Sequence, residues 1–281
     1  MRPDILITGG TGKTGRQIAR QLADKGISAR IASRSGKDQT GHKGMRFDWA
    51  DNTTFEAALD GISAVYLVAP QNTSELLLEM QPFLEAALRQ GVIRYVLLST
   101  SALDEGGPLM GKVHAWLKAE VSEWAVLRPS WFMQNLVEPL QLAAIQNNGA
   151  IYSATGHGRI GFIDTLDIAA VAIALLTAKV APNSDFVLTG PEAISYDEVA
   201  SLVSDQLGKP VVHHCLSHSE MVIRWIGLGL PEAYAIMLTD MDIAIAAGSE
   251  DHVTDNVKRI TNQEPNSFLS FVRAQPAFQP A

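Results

Sequence analysis

Residues 4–16 read DILITGGTGKTGR, and this stretch decides the fold of the chain. Ile5, Leu6 and Ile7 form an apolar run that predicts a buried strand, and glycines follow it at positions 9, 10, 12 and 15. Residues 17–26, QIARQLADKG, then repeat apolar side chains at helical spacing. A strand, a glycine turn and a helix in this order are the context that a dinucleotide fingerprint requires.

Two overlapping glycine patterns fit this turn. Gly10, Gly12 and Gly15 match G-x-G-x-x-G, and Gly9, Gly12 and Gly15 match G-x-x-G-x-x-G. Residues without a Cβ let the backbone approach a diphosphate closely, and a helix amino terminus adds N–H groups and a partial positive charge. The predicted cofactor contacts in the turn are Gly9, Thr11, Gly12, Lys13, Thr14 and Gly15.

The sequence of the turn also resembles two other kinds of glycine-rich turn. Gly12-Lys13-Thr14 has the GK[ST] ending of a phosphate-binding NTPase loop, but that motif needs a glycine where Ile7 stands. The spacing therefore excludes the NTPase loop. A glycine-rich turn without any ligand stays open as the alternative.

The bulk composition excludes several classes of protein. The chain has 281 residues and a formal net charge of −8, which argues against a nucleic-acid surface. Its single cysteine, Cys215, excludes an intramolecular disulfide and favours a reducing cytoplasm. No signal-peptide pattern opens the sequence, and its longest apolar run, 168–178, is too short to cross a bilayer. We expect a soluble cytoplasmic protein, monomer or homodimer, whose partner is a small molecule.

Apolar strands alternate with helical segments in the first half of the chain, which predicts crossover units and a parallel sheet. The strand patterns after the first lie at residues 28–33, 45–49, 64–70, 95–101 and 123–129. Residues 131–147 look helical, Asp167 is a candidate N-cap for the helix that follows, and Ser195 with Glu198 forms a capping box.

The expected fold class is α/β, a Rossmann-type doubly wound parallel sheet with a smaller, mostly helical C-terminal region. The predicted dinucleotide-binding domain spans residues 1–150, and residues 160–190 add a strand and a helix to it. The predicted substrate-binding region spans residues 191–281.

The end of the second strand indicates which nicotinamide cofactor is bound. NAD-type domains place an acidic residue there, whereas this chain has Ser33 and Arg34, with Lys37 close behind. A guanidinium can bind a 2′-phosphate bidentately, and a carboxylate would repel it. We therefore predict NADPH rather than NADH, with Arg34 as the main determinant. The alternative is that Arg34 and Lys37 are ordinary surface charges.

Other predicted cofactor contacts stand at strand ends, because ligands of open α/β sheets lie beyond the carboxyl ends of the strands. Asp48 is placed to reach the adenine, although it is as compatible with a cap or turn aspartate. Backbone at the ends of the fourth and fifth strands should line the nicotinamide ribose. These residues are Ala69, Pro70 and Gln71, and Ser99 and Thr100.

Several stretches carry a family resemblance. They are residues 4–16, GKVHAWL at 111–117, AVLRPSWFMQN at 125–135, FIDTLDIA at 162–169 and the segment 251–272. Together they resemble the NmrA-like branch of atypical short-chain dehydrogenases/reductases, and within it the group of festuclavine and agroclavine dehydrogenases. LRPSWFMQN at 127–135 is the most specific piece.

The resemblance implies a Rossmann core and hydride transfer from NADPH without flavin. Relatives reduce quinones, triphenylmethane dyes, azo dyes and iminium alkaloids, so the expected substrate is a planar, conjugated, electron-poor small molecule. Other relatives bind NADP(H) only as redox-sensing regulators, which is the alternative function.

The catalytic residues are where the chain departs from the family pattern. Ordinary short-chain reductases use Tyr-x-x-x-Lys, but none of the tyrosines at 66, 95, 152, 196 and 234 has a lysine four residues later. Lys112-Val113 resembles the Lys-Val of isoflavone-reductase-like relatives, which implies that Lys112 contacts the nicotinamide ribose and polarises the substrate. His114 is the second catalytic candidate, because an imidazole passes protons near neutral pH.

Trp131, Phe132, Met133 and Asn135 follow the sixth strand and are the predicted substrate-binding residues. Such side chains stack on a flat substrate, but they fit core packing equally well.

The cluster His213, His214, Cys215 and His218 contains residue types that bind metal ions. Adjacent residues of a strand point to opposite faces, so we expect no metal.

Overall fold

The computed structural model describes residues 5–38, 40–70 and 73–279, so Asp4 and Gln71 lie outside the described residues. The strands are β1 (Ile5–Ile7), β2 (Arg30–Ser33), β3 (Lys43–Arg46), β4 (Ala64–Leu67), β5 (Arg94–Leu98), β6 (Glu123–Pro129), β7 (Ala150–Ser153), β8 (Arg159–Ile160), β9 (Ser184–Leu188), β10 (Ile194–Ser195) and β11 (Val212–Cys215).

The helices follow the strands closely in the first half and dominate the second half. They are α1 (Lys13–Asp24), α2 (Phe55–Leu59), α3 (Leu76–Arg89), α4 (Met110–Glu120), α5 (Pro139–Asn148), α6 (Thr165–Thr177), α7 (Tyr196–Leu207), α8 (His218–Gly227), α9 (Glu232–Ala246), α10 (Asn256–Thr261) and α11 (Phe268–Ala274).

Seven strands form one parallel sheet in the order β3-β2-β1-β4-β5-β6-β9. The order reverses at β1, because the chain first winds outward through β2 and β3 and then returns to place β4 on the other side. A doubly wound sheet of this kind binds ligands at the reversal, beyond the carboxyl ends of the strands. The predicted Rossmann-type fold is confirmed.

Helices cover both faces of this sheet, as the crossover connections require. On one face α6 packs against α1 and against α10. Nine of its thirteen residues are buried, which explains why α6 is apolar all round rather than on one stripe. On the other face α2, α3 and α4 pack with the sheet into one apolar cluster that includes Leu6, Phe83 and Val113.

The chain divides into two compact units. The first, called the sheet unit below, comprises Met1–Pro129, Thr165–Leu188 and Asn256–Gln263. The second, called the cavity unit below, comprises Ser130–Asp164, Thr189–Asp255 and Glu264–Ala281. The cavity unit contains two small sheets, β7 with β11 and β8 with β10, and the helices α5, α7, α8, α9 and α11.

The predicted boundary at residue 150 lies inside the cavity unit, because the chain leaves the large sheet where β6 ends at Pro129. The predicted addition at 160–190 corresponds to Thr165–Leu188, and Asn256–Gln263 returns to the sheet unit without any sequence signal.

Residues 131–147 are not one helix. A 3₁₀ turn, Met133–Val137, precedes α5, whose first residue is Pro139. Proline has no N–H to continue a helix and favours its first turn.

Two helix starts had been predicted from capping residues. Ser195 accepts a hydrogen bond from the Glu198 N–H and forms a full capping box with the Glu198 side chain, as predicted. The prediction that Asp167 caps α6 is wrong, because the helix begins at Thr165 and Asp167 lies within its first turn. An acid in this position still interacts favourably with the helix dipole.

Candidate functional site

The glycine turn after β1 is closed by backbone packing. Gly9 has φ +59°, and its carbonyl accepts a hydrogen bond from the Gly12 N–H at 2.9 Å. A Cβ on Gly15 would collide with the Gly9 carbonyl, and one on Gly10 would collide with the Ile31 side chain. The turn is therefore possible only with hydrogen at these positions.

The amino terminus of α1 is arranged to receive an anion. Gly12 is its N-cap and supplies no side-chain cap, and the first turn of the helix contains no acidic residue. Thr11 and Gly12 are exposed and Lys13 is half-buried. The close backbone turn and the uncapped helix end fit the diphosphate of a dinucleotide.

Thr14 is buried and its hydroxyl accepts a hydrogen bond from Tyr66 Oη at 3.1 Å. This bond ties the first turn of α1 to the central strand β4. Burial raises the pKa of Tyr66 far above its ordinary value, so the phenol stays protonated and keeps donating. The predicted cofactor contact of Thr14 would consequently come from its backbone N–H. Sequence reasoning missed Tyr66, which reads as an ordinary core residue of a strand.

The residues predicted to choose the nicotinamide lie at the carboxyl end of β2. Ser33 is buried, and its hydroxyl accepts a hydrogen bond from the Gly36 N–H at 3.2 Å. Arg34 and Lys37 are exposed. Neither side chain forms an ion pair with a residue that the structure describes. The turn thus presents two cations where a ribose phosphate is expected, with no carboxylate from the turn itself between them.

Asp48 is half-buried, and its Oδ1 accepts a hydrogen bond from the Ala50 N–H at 3.1 Å. This contact supports the turn-aspartate alternative for that oxygen, and the adenine role of Asp48 stays a prediction. Ala69 and Pro70 are half-buried just beyond β4. Both follow the central strand that pairs with β1.

Ser99 and Thr100 are half-buried just beyond β5, where the Ser99 N–H donates to the Leu127 carbonyl at 2.8 Å. Arg128 fixes the loop that follows them, since its guanidinium contacts Asp185, Asp104 and the Ser101 carbonyl. Burial lowers the pKa of Arg128, but the hydrogen bonds to the two aspartates outweigh it and raise the pKa overall. These contacts give Arg128 a structural role.

The two catalytic candidates lie in different surroundings on α4. Lys112 is in the first turn, half exposed, with Nζ 3.6 Å from the Glu75 carboxylate. His114 is buried, and its ring centroid lies 5.4 Å from that of Trp124 at the start of β6. Burial lowers the pKa of His114 and favours the neutral imidazole. Ligands are expected at the opposite, carboxyl end of the strands, so the structure offers less support for His114 than for Lys112.

The cavity unit encloses a cavity of about 540 Å³. All four predicted substrate-binding residues line it, and so do Met221, Trp225 and Tyr234. A cavity of this size and aromatic character fits a flat organic molecule of drug-like dimensions. Its principal aromatic lining residues are Trp131, Phe132, Tyr152, Tyr196, Trp225 and Tyr234.

Two carboxylates line this aromatic cavity, the exposed Glu138 and the buried Asp242. Asp242 on α9 is buried, and its Oδ2 accepts a hydrogen bond from the Ala154 N–H at 2.9 Å. Burial raises the pKa of Asp242 to about 6. Burial and the charge of Asp242 also raise the pKa of Tyr196, whose hydroxyl receives a hydrogen bond from Trp131. Sequence reasoning missed Asp242, although an acid inside the apolar run IMLTDMDIAIA was an available signal.

The histidine cluster does not gather into a metal site. Among the described residues, no group of three or more His, Cys, Asp or Glu side chains could hold a metal ion. His213 is hydrogen-bonded to Ser153 and Asp197, His214 stacks on Tyr152, and His218 pairs with Asp240.

No helix in the described part of the chain is long and apolar enough to span a membrane.

The chain is similar to known NAD(P)H-binding proteins and oxidoreductases. A family model described as NAD(P)H-binding matches residues 9–179. The uncharacterized oxidoreductase YesF of Bacillus subtilis is 40% identical over 274 residues, which are 98% of this chain and 96% of the relative. Agroclavine dehydrogenase of Claviceps purpurea is 37% identical over 283 residues, which are 97% of each chain.

Among solved structures, the NADPH-dependent quinone oxidoreductase of Escherichia coli complexed with NADPH superimposes with a TM-score of 0.81. It is 20% identical, and the match covers 95% of this chain and 98% of that one. At this identity the likeness speaks for the fold, which is shared over nearly the full length of both chains.

The buried Asp242 makes the stability of the protein depend on pH. Its pKa is raised from 3.8 to about 6 on folding, so its contribution to stability is full below pH 3.8 and is lost as the pH rises through about 6. We expect Asp242→Asn to remove this dependence and to be more stable than wild type at neutral pH by about 2–3 kcal/mol. Urea unfolding between pH 4 and pH 7.5 measures the difference. The exposed Asp205→Asn on α7 is the control, and an unchanged pH dependence in Asp242→Asn would contradict the assignment.

Proposed function

The chain belongs to the NAD(P)H-binding family, within the NmrA-like atypical short-chain dehydrogenases/reductases, and is an NAD(P)H-dependent reductase; from this premise we propose that it reduces a planar, conjugated, electron-poor small molecule with NADPH. The observation that carries the proposal is the aromatic cavity of about 540 Å³ lined by Trp131, Phe132, Met133 and Asn135.

The sheet unit supplies the residues that would hold the cofactor. The glycine turn and the uncapped end of α1 would bind the diphosphate, and the backbone beyond β4 and β5 would line the nicotinamide ribose. The bound NADPH supplies a hydride. Lys112 would contact the ribose, because an ammonium group in the first turn of α4 stands near the carboxyl end of the sheet.

We infer a preference for NADPH over NADH from the turn after β2. Arg34 and Lys37 are exposed there, and a carboxylate is missing from residues 33–37. A guanidinium binds a 2′-phosphate through two parallel hydrogen bonds, whereas the adenine ribose of NADH offers it no charge partner.

The cavity unit supplies the residues that would hold the acceptor. Trp131 and Trp225 line the cavity with aromatic rings on which a flat conjugated molecule can stack. Asp242 adds a negative charge in a mostly apolar wall, where it is weakly screened and favours an acceptor with positive charge. Two relatives, named agroclavine dehydrogenase and NAD(P)H azoreductase, share 37% and 28% identity with this chain. The first is named for agroclavine and the second for the reduction of azo compounds, so both names describe redox enzymes that act on small organic molecules.

A panel of acceptors tests the proposed function directly. We expect the purified protein to oxidise NADPH in the presence of at least one of a cyclic iminium salt, a triarylmethane cation, an azo dye and a naphthoquinone. Loss of absorbance at the nicotinamide band, together with product identification by mass spectrometry, measures the reaction. NADPH that binds but is not consumed with any member of the panel would contradict the proposal.

Arg34→Ala tests the cofactor preference. Removing a charge-assisted bidentate contact should weaken NADPH binding by about 10–100-fold and leave NADH binding nearly unchanged. Isothermal titration calorimetry with both nucleotides measures the two affinities. Arg273→Ala, an exposed arginine on α11, is the matched control and should change neither. Equal losses of NADPH and NADH affinity in Arg34→Ala would count against the 2′-phosphate role.

Lys112→Met tests the lysine of α4. The change should lower kcat/KM by about 10²-fold, since the ammonium that orients the ribose and polarises the acceptor is lost. Lys118→Met is a close control, because Lys118 lies on the same helix, is similarly exposed and pairs with Glu105 as Lys112 pairs with Glu75. Steady-state rates that fall equally in both variants would show that Lys112 has no special part in the reaction.

A further inference from the structure

A continuous hydrogen-bonded chain runs from the wall of the cavity to the surface of the cavity unit. Ser153, at the end of β7, lines the cavity, and its Oγ lies 2.8 Å from Nε2 of His213. Nδ1 of His213 lies 2.9 Å from Oδ1 of Asp197. Oδ2 of Asp197 in turn lies 2.8 Å from Nδ1 of His157. We call these four residues the Ser153 relay.

Exposure changes steeply along the Ser153 relay. The side chain of His213 is 1% exposed, that of Asp197 is 46% exposed and that of His157 is 92% exposed. The buried end therefore belongs to the cavity and the other end to the solvent. Separate elements place the residues, with Ser153 on β7, His213 on the neighbouring strand β11 and Asp197 in the first turn of α7.

Asp197 sets the tautomer of His213. Burial raises the pKa of Asp197, but the hydrogen bonds with His157 and His213 lower it more, so the carboxylate stays ionised at neutral pH. An ionised carboxylate only accepts hydrogen bonds, which means that Nδ1 of His213 carries a proton. Nε2 of His213 is then the atom that exchanges a proton with Ser153.

The Ser153 hydroxyl can respond to the charge of His213. Its oxygen also lies 2.7 Å from Thr155 Oγ1 and accepts a weaker bond from the Thr155 N–H at 3.3 Å. When His213 is neutral, the Ser153 O–H donates to Nε2. When His213 is protonated, Nε2–H donates to the Ser153 oxygen and the Ser153 hydrogen is released to another acceptor.

We propose that Ser153 is the proton donor of the reaction in the cavity, with His213 as its proton source and Asp197 as the residue that positions His213. The inference rests on the proposed function, since it concerns the acceptor after that molecule has gained a hydride. A neutral acceptor, such as a quinone or an azo compound, then carries an extra electron pair and a negative charge. The Ser153 O–H bond breaks and its proton joins this electron pair. The Ser153 oxygen takes the Nε2 proton of His213, which carries a proton on both ring nitrogens before this step and is neutral after it. His213 then regains a proton from solvent before the next turnover.

The relay supplies what the missing Tyr-x-x-x-Lys would otherwise provide. Proton transfer from a positioned side chain contributes typically ~10²–10⁴-fold to a rate. A cationic acceptor becomes neutral once it has gained a hydride and needs no such proton. The two classes of acceptor therefore separate the effect of the relay from every other effect of the same mutation.

Three groups face the His213 ring. Asp197 faces Nδ1, Ser153 faces Nε2, and the Tyr196 ring lies 5.7 Å away, centroid to centroid. His157 acts on His213 only through Asp197. Tyr196 stays neutral because burial and Asp242 raise its pKa, so Asp197 is the charged neighbour of His213 within this set.

The test compares His213→Gln with wild type on a naphthoquinone and on a triarylmethane cation. We expect the ratio of the two kcat values, quinone over cation, to fall by about 10²-fold in His213→Gln and in Ser153→Ala. In wild type, kcat with the quinone should show a solvent deuterium isotope effect. This isotope effect should vanish in His213→Gln. His218→Gln, an exposed histidine paired with Asp240, is the matched control and should keep the wild-type ratio.

A readout without turnover accompanies the kinetics. ¹⁵N NMR of the histidine rings should show that the neutral form of His213 in wild type is the Nδ1–H tautomer, and Asp197→Asn should abolish that preference. An Nε2–H tautomer in wild type would overturn the relay, as would an unchanged quinone-to-cation ratio in His213→Gln. Wild type that consumes no NADPH with any acceptor would refute the proposed function and the relay together, whereas wild type that reduces both acceptors with no effect of His213→Gln refutes the relay alone.

Discussion

The sheet unit depends on a close contact between two backbone segments, the turn after β1 and the first turn of α1, at the point where the strand order reverses. Gly15, in the first turn of α1, lies so close to the Gly9 carbonyl that a single methyl group would force them apart. Gly10 lies equally close to Ile31 of the neighbouring strand β2. This close approach packs the amino-terminal end of α1 against the turn that follows β1, and the hydrogen bond from Tyr66 to Thr14 holds it there. The requirement is steric, because no other residue type removes the Cβ.

The two candidate binding regions differ in the charge that their walls carry. In the sheet unit, the first turn of α1 has no acid and the turn after β2 carries Arg34 and Lys37, which suits a phosphorylated cofactor. In the cavity unit, Asp242 puts a carboxylate into an aromatic wall. A buried carboxylate is costly, and it is tolerated here because the Ala154 N–H holds one of its oxygens and because its raised pKa reduces the charge near pH 6. Such a cost in a structure that offers apolar alternatives indicates that the position serves binding or chemistry.

Local pattern was enough for the sheet but not for the cavity. The strands, the glycine turn and the capping box at Ser195 are encoded within ten to twenty consecutive residues, and all of them are present in the structure. The points at which the chain passes from one unit to the other are not encoded in any short stretch of sequence. The exit at Pro129 and the return of α10 to the sheet unit depend on packing against elements that are distant in the sequence. For the same reason Trp131 and Phe132 could be named from their motif, whereas Asp242, 110 residues further along than Phe132, could not be connected to them.

The absence of Tyr-x-x-x-Lys is best understood through what each acceptor needs. The dyad places its proton donor on the helix that would follow the fifth strand, and here that helix carries Lys112, exposed and paired with Glu75, and His114, buried and kept neutral. Neither offers an acidic phenol. Two groups that can exchange protons with a molecule in the cavity, Asp242 and Ser153, lie instead on α9 and β7 of the cavity unit. Ala154, whose N–H donates to Asp242, is the next residue after Ser153. A proton donor in the wall of the acceptor cavity can be replaced when the acceptor changes, while the cofactor-binding turn keeps its sequence. Members of one fold can therefore use different proton donors for different acceptors, because the steric requirements of the glycine turn do not restrict the residues of the cavity.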